Sequence, residues 1–510
     1  MRVILFSILL FYSEYGFCQE YNRSKVWVCG YFKAVTFDFN NNNLIVDTFQ
    51  NAIQQTPYPL FTFGGSNICD TNGLVSFSCN GFILYNKSGY GIEGWDSINS
   101  PFGYKLEDYY NHDGFFNQMS IILPKKGNTY YVFTAGMSDP VFDEAKSGID
   151  FRFDVLTDHI VDMDANGGAG KVLSKNNILM QDARLSHNRM TAVRHANGRD
   201  WWLVKPHVTE QIFYTFLVQP DTILGPFTNY SNFPMDTFIK TNKIYGIQGH
   251  SAFSPDGNWY ASTEAAYKGV FVYRFDRCTG LFTDYHFYQQ PSYDTTYHDW
   301  SVSACFSEDS KLLYLITAGN IWQCDLADTS TSSLIHITGP DTLLAYFPEY
   351  YSTYLAPNGK MYVGNTNGTN KSMSFIDQPN VRGTGCNFKG RGNGALSQPY
   401  TNLMIPPNMP NYGLGALKGS ACDTLNKLPE INAINIYPNP ANDVLHIEWP
   451  INNQATELNV YDLLGNVIFK HTIAQGQQQF SLDVSGLPRA LYMLKLKVDG
   501  KEEVRKFLKK

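Results

Sequence analysis

Four residues of the run DMDANGG (162–168) stand where a calcium loop would place its first ligands: Asp162, Asp164, Asn166 and Gly167. The twelfth position of such a loop carries a glutamate that grips the ion with both oxygens. Here it is Leu173. The run therefore reads as a turn between strands, and no metal is expected. A second group mixes aromatic and titratable side chains: His250, the run Tyr297-His298-Asp299-Trp300, and Glu349-Tyr350-Tyr351, with Lys205, His207, Glu264 and Tyr267 on neighbouring segments. Aromatic faces stack on sugar rings while carboxylates and imidazoles bond their hydroxyls. The ligand-binding candidates are His250, Glu264, His298, Asp299, Trp300, Glu349 and Tyr351. Two carboxylates about 5–9 Å apart could also cleave a glycosidic bond, but spacing in sequence does not give that distance. The plainer alternative is that these are packing aromatics and solvated polar groups. No GxSxG, HExxH, Walker or dinucleotide motif occurs, and GRGNGALSQ (390–398) lacks the lysine of a phosphate loop. No catalytic residue and no cofactor are expected.

What would position such a group is a degenerate repeat. ICDTNGLVSFS (68–78), IILPKKGNTYYVFT (121–134), AVRHANGRDWWLV (192–204), AFSPDGNWYAST (252–263), ACFSEDSKLLYLIT (304–317) and YLAPNGKMYVG (354–364) share one form. Each is a short apolar strand, a polar turn and a second, aromatic-rich strand. Asn-Gly and Asp-Gly supply the positive φ of a tight hairpin turn. The turn positions are Gly73, Gly127, Gly198, Gly257, Ser310 and Gly359, separated by 54, 71, 59, 53 and 49 residues. After the last five copies comes an alternating strand: DFRFDVLTD (150–158), IFYTFLVQPD (213–222), VFVYRFDRCTG (270–280), NIWQCDLADTS (320–330) and SMSFIDQPN (372–380). A hairpin, a third strand and room for a fourth make a β-propeller blade. Six or seven blades fit the length, with residues 20–95 sharing in closure. In that arrangement the ligand candidates fall on loops that enter, or leave near, the innermost strands at one mouth of the channel.

The composition agrees. Of 510 residues, 43% are hydrophobic, 15% aromatic and 17% charged, with 33 Tyr, 35 Phe and 41 Gly. That suits strands and turns around large cores. The net charge of −7 is spread without a basic cluster before the last ten residues, so nucleic acid is not an expected partner. Residues 1–18 read as a signal peptide: Arg2, an apolar stretch from Val3 to Tyr12 too short to span a bilayer, then Gly16 and Cys18 before a cleavage site. Cys18 as a lipid attachment point is disfavoured by the bulky Tyr15 and Phe17. No later stretch is apolar enough for a membrane span. Cleavage leaves eight cysteines, an even number in an exported chain, which permits disulfides. Cys386 and Cys422, both in loop-like sequence, are the candidate pair; buried free thiols are as good a reading for Cys278, Cys305 and Cys324.

Residues 423–433 are polar and read as a linker. Seven short strand-like runs follow in about 80 residues, the pattern of a small Ig-like β-sandwich. YPNPANDVLHI (437–447), VYDLLGNVIFK (460–470), LDVSGLPRALYMLKL (482–496) and RKFLKK (505–510) stand in this order. Together they resemble the C-terminal sorting domain of the Bacteroidetes type IX secretion system over the whole of 434–510. The residues that carry the likeness are Pro438, Asn439, Pro440, Asp462, Gly465, Tyr492 and Lys506. Ala490 departs from it, since the family usually has glycine two residues before the tyrosine. The resemblance implies export across the outer membrane and handling by the secretion machinery. The body (19–422) is similar to propeller domains that precede such tags, which adds nothing about its ligand. The expectation is an all-β, exported cell-surface or secreted protein whose body binds a glycan or protein; the alternative is a polysaccharide-active hydrolase or lyase.

Overall fold

A computed structural model of the chain describes residues 20–510 except 31–34, 41–44, 49–60, 62–64, 97, 99–104, 106–115, 149, 209–210, 232–248, 265–268, 292–300, 329–333, 340–349, 366–371, 392, 398–404, 424–434, 450–455, 464, 478 and 499–500. The signal segment 1–18 and the linker 423–433, save Asp423, lie outside the described residues. Two compact units, Met1–Cys422 and Asp423–Lys510, divide the chain.

The first unit holds seven antiparallel sheets among the described residues. Sheet one is β1 (Val26–Cys29), β2 (Val35–Asp38) and β3 (Ile45–Thr48); sheet two is β4 (Ser66–Cys69), β5 (Val75–Cys79) and β6 (Leu84–Asn86). Sheet three is β7 (Ser120–Pro124), β8 (Thr129–Gly136), β9 (Val155–Asp162) and β10 (Lys171–Met180). Sheet four is β11 (Thr191–Arg194), β12 (Trp201–Pro206), β13 (Ile212–Val218) and β14 (Ile223–Tyr230). Sheet five is β15 (Gly249–Phe253), β16 (Trp259–Glu264), β17 (Gly269–Asp276) and β18 (Leu281–Gln289). Sheet six is β19 (Ser301–Phe306), β20 (Leu312–Thr317), β21 (Ile321–Asp325) and β22 (Ile335–Thr338). Sheet seven is β23 (Ser352–Leu355), β24 (Met361–Gly364), β25 (Ser372–Ile376) and β26 (Phe388–Lys389), with β27 (Leu396–Ser397) also on β25.

All six sequence hairpins form, as the pairs β4–β5, β7–β8, β11–β12, β15–β16, β19–β20 and β23–β24. Their turn residues all take positive φ, from +60° at Ser310 to +84° at Gly73. Ser310 shows that the left-handed region is imposed even where the sequence offers no glycine. The turn is local chemistry, so the sequence carries it. Among the described residues, sheets one and two show three strands rather than the four of the repeat. The DMDANGG segment is the turn between β9 and β10, with φ of +53° at Asn166 and +66° at Gly167.

Burial explains the sheet order. β12, β19 and β20 are buried at every position, whereas the last strand β10 alternates between half-buried and exposed over its first six residues. Inner strands are covered on both faces by neighbouring sheets, and the outermost strand meets water. First strands lie side by side: Asn67 on β4 donates to Val26 O and accepts from Val28 N on β1, Ser66 Oγ meets Ser120 Oγ on β7 at 2.9 Å, and Thr353 N on β23 donates to Ser303 Oγ on β19. The last sheet packs back on the first, where Trp27 meets Tyr362 edge-on at 5.8 Å inside a shared apolar cluster. Among the described residues one helix of more than one turn interrupts the strands, α1 (Asp139–Lys146), which buries Val141 and Phe142.

Residues 405–422 return through this unit, from Asn408, whose N donates to Gly65 O ahead of β4, to Leu417, whose N donates to Ala196 O in the β11–β12 turn. Arg194 gathers the two ends of the body: its guanidinium pairs with Glu20 at 3.0 Å and donates to Tyr412 O at 2.9 Å. The disulfide is Cys278–Cys422, with Cα atoms 5.6 Å apart. This corrects the expected Cys386–Cys422 pair; Cys386 is a buried free thiol. Cys386 ends a short 3-10 helix (Gly383–Cys386), and the returning segment brings Cys422 to the β17–β18 turn instead. The bridge closes a separation of 144 residues, so replacing Cys422 with serine should cost about 2–5 kcal/mol. The melting temperature of the oxidised protein should fall accordingly, and reduction of the wild type should match it.

Among the described residues the second unit has two sheets, ordered β28 (Asn435–Tyr437), β29 (Val444–Glu448), β32 (Gln479–Asp483) and β31 (Val467–Ile473), β30 (Thr456–Tyr461), β33 (Leu491–Val498), β34 (Lys501–Leu508). Leu445, Ile447, Leu458, Val460, Leu494 and Phe507 form its own core.

Candidate functional site

Of the seven ligand candidates, two are described with their side chains. His298, Asp299, Trp300 and Glu349 lie outside the described residues, as does the side chain of Glu264, whose backbone ends β16 opposite Gly249. His250 follows Gly249 on β15 and is 1% exposed. Tyr351 precedes β23 and packs among Val302, Tyr314 and Met361 between sheets six and seven. Burial raises its pKa. Its ring is buried, at 6% exposure. Lys205 and His207 are likewise inside. Lys205 is wholly buried and donates to Asn188 O at 3.0 Å; burial, then Arg189, lowers its pKa. Burial lowers His207 to about 4.

The space along the axis divides in two. Towards β4, β7 and β11 it is filled by the returning segment. Asn408 N donates to Gly65 O, and its side-chain amide donates to Ser120 O at 2.9 Å and to Met190 O at 3.0 Å. Gln118 crosses to the other side, where its amide nitrogen and oxygen pair with O and N of Ser251, each at 2.8 Å. A side-chain amide thus takes the place of a strand partner for β15.

Towards β15, β19 and β23 a cavity of about 220 Å³ remains. Its walls come from the inner strands β11, β15, β19 and β23, including Thr191, His250, Cys305, Thr353 and Tyr354, with Trp27 alongside. Its lining reaches exposed Glu308 and Tyr21 among the hairpin turns, the side opposite to the one the sequence pointed to. Tyr21 is fixed there by donating to Pro357 O at 2.7 Å. The His250 ring stands edge-on to Tyr354, centroids 4.9 Å apart. Burial holds His250 at about 3, so the imidazole is neutral, and pushes the Cys305 thiol up to about 12. Among the described residues Thr353 Oγ1 makes no hydrogen bond. His250 bonds to the Ala304 backbone, and Tyr354 to Gln118 and Ser352. Thr353 and Tyr354 were not singled out from the sequence, although STYL and GHSAF did carry a signal: hydroxyls and an imidazole at buried strand positions.

In the second unit the motif residues have structural roles. Asn439 ties the start of the unit to its last strand, donating to Lys506 O at 3.0 Å and accepting from Leu508 N at 2.9 Å. Asp462 and Gly465 make the β30–β31 turn: Gly465 has φ +84°, and the Asp462 carboxylate accepts from N and Nδ2 of Asn466, both at 2.8 Å. Tyr492 stacks on Phe507 and donates to Pro488 O. At Ala490, where the family pattern has glycine, the carbonyl accepts from Lys509 N.

Residues 435–510 match the family described as the secretion system C-terminal sorting domain. This unit is a type IX sorting domain. A protein carrying a sorting domain of this kind is exported, to the medium or to the cell surface, and is handled by the type IX machinery. No helix among the described residues is long and apolar enough to cross a membrane. No curated protein matches the chain. Among solved structures, a Bacteroides uniformis protein described provisionally as a 6-phosphogluconolactonase shares 12% identity over 90% of this chain and 98% of its own, with a TM-score of 0.35. The periplasmic gluconolactonase of Pseudomonas aeruginosa shares 11% over 90% and 99%, TM-score 0.34. The Dos1 propeller shares 11% over 66% and 72%, TM-score 0.36. Likenesses this distant transfer neither ligand nor activity.

Replacing Asn439 with alanine in the sorting domain removes both of its links to the last strand. The site is exposed, so the expected cost is about 1–2 kcal/mol. A lower melting temperature for the sorting-domain transition, with the body transition unmoved, is the expected calorimetric result.

Proposed function

We propose that the body is a seven-bladed β-propeller, displayed or released by an Ig-like sorting domain, and that it is a binding module for a glycan or protein. The return of sheet seven onto sheet one supports the ring, since Trp27, Phe37, Tyr362 and Phe375 share one cluster. The observation that carries the binding reading is the axial cavity, walled by inner strands and reaching the surface at Glu308 and Tyr21. Glu308 is the one carboxylate among the described lining residues. A retaining or inverting glycosidase needs two, about 5–9 Å apart, which leaves the hydrolase or lyase as the second reading. The decisive experiment applies the purified secreted protein to a glycan array and to a pull-down from cell-envelope extract, in parallel with a reducing-sugar release assay. Saturable binding without release supports the module. Release of sugar ends supports the enzyme. Neither binding nor release overturns both.

A further inference from the structure

The last strands of sheets four and five border a second hollow, of about 340 Å³. It lies where the end of β14 meets the start of β18. Four aromatic rings line it: Tyr230 from β14, Tyr273 from β17, and Phe282 and Tyr285 from β18. Tyr273 is buried, Tyr285 is 36% exposed and Tyr230 is 72% exposed, the highest value for any large apolar side chain among the described residues.

A bulge assembles this lining. Side chains alternate along a strand, so residues three apart, such as Phe282 and Tyr285, belong on opposite faces. Here Arg274 on β17 pairs with Thr283 and Tyr273 pairs with Tyr285, which leaves Asp284 as the extra residue, at φ +41°. Both rings consequently reach Tyr273, with centroids at 5.9 Å for Phe282 and 6.4 Å for Tyr285. The same bulge leaves Asp284 exposed on the wall. Among the described residues its carboxylate has no hydrogen bond and no ion pair. Arg274 lies instead over the Trp259 ring, at 3.6 Å.

The electrostatics of the hollow have one sign. Ring faces are the negative part of the aromatic quadrupole. The one charged side chain in the described lining is the Asp284 carboxylate. Such a lining repels an anion and leaves two classes of ligand, a neutral sugar and an organic cation. A sugar ring stacks on a flat platform. Tyr273 is inclined by 83° to Phe282 and by 46° to Tyr285, so the rings offer walls at several angles and not one plane. Inclined rings beside a carboxylate suit a rounded positive group, which several rings attract at once.

We propose that this hollow binds an organic ammonium cation, through the rings of Tyr230, Tyr273, Phe282 and Tyr285 and the carboxylate of Asp284. The site is distinct from the axial cavity and goes beyond the reading drawn from it. A quaternary or protonated amine can arrive as a free molecule, on a sugar or on a protein side chain, and all three present the same charge.

The test uses the full exported chain with choline, glucosamine and trimethyllysine. Each is paired with an uncharged copy in which carbon or a hydroxyl replaces the cationic nitrogen. Titration calorimetry should show at least one cation binding about tenfold or more tightly than its copy, and weakening as salt rises. Tyr230→Ala and Asp284→Asn should each weaken it about fivefold or more. Tyr230→Phe should leave it unchanged, because the ring and not the hydroxyl meets the cation. Asparagine accepts positive φ as aspartate does, so Asp284→Asn keeps the bulge. Both positions are exposed, so all three variants should melt with the wild type. Which cation binds identifies its source, and any of them supports the proposal. Equal binding of a cation and its uncharged copy overturns it, as does a neutral sugar whose binding is lost in Tyr230→Ala. Cation binding that survives both Tyr230→Ala and Asp284→Asn overturns it too, and so does the absence of binding by every cation. Tyr230 and Asp284 do not line the axial cavity, so these outcomes leave the binding-module reading to its own experiment.

Discussion

Deleting residues 434–510 should abolish export and leave the body folded in the periplasm of a host with the type IX machinery. The sorting domain is a compact unit with its own core, in which Leu445, Leu458, Leu494 and Phe507 are all fully buried. The body keeps its own clusters and its own disulfide, Cys278–Cys422, both on the near side of the cut. Truncation therefore removes the address and leaves the body's own clusters complete. Cell fractionation and immunoblotting should find the truncated chain protease-resistant in the periplasm and missing from medium and surface. A second variant separates sequence from fold: Leu494→Asp puts a charge in the centre of the sorting-domain core, which costs several kcal/mol. If the machinery reads the folded sandwich, this variant should be retained like the truncation. Normal surface display of the truncated chain would refute the role of the tail.

Acid should destabilise the body well before its carboxylates protonate. His159 is fully buried, with Nε2 on Thr134 Oγ1 and Nδ1 accepting from Asn176 N, and burial followed by repulsion from Lys175 lowers its pKa to about 3. Burial lowers His250 to about 3 and His207 to about 4. Each of these imidazoles folds in the neutral form and is protonated near pH 6.5 when unfolded. A depressed folded-state pKa contributes stability above the unfolded pKa, and that contribution is lost as pH falls towards the folded value. The window thus runs from about pH 6.5 down to about pH 4 for His207 and about pH 3 for His159 and His250. His159 and His250 together should cost about 3 kcal/mol by pH 5.5, and His207 acts in the same direction. Asp158 opposes them in part, because burial raises its pKa and its protonation relieves a buried charge. The melting temperature should be flat from pH 8 to 7 and fall steeply between 6.5 and 4.5. A flat profile down to pH 4.5 would show that these side chains titrate as if exposed.

The sequence alone determined what depends on neighbours in the chain. Six hairpin turns were legible because Asn-Gly, Asp-Gly and their relatives choose a backbone conformation within four residues, and all six sit at positive φ. The third strands were legible from alternation, and the sorting domain from blocks that are themselves turns and core strands. Tertiary structure decided what depends on residues far apart. Cys422 pairs with Cys278, 144 positions away, because the returning segment crosses the β17–β18 turn, and nothing in the spacing of the cysteines records that path. Glu20 meets Arg194 for the same reason, across 174 positions. The site moved with it. Asn408 and Gln118 fill one side of the axis, and only their arrival leaves His250, Thr353 and Tyr354 around a space on the other. Period and turn type are set by short-range sterics, whereas a cavity is what remains after distant segments have packed.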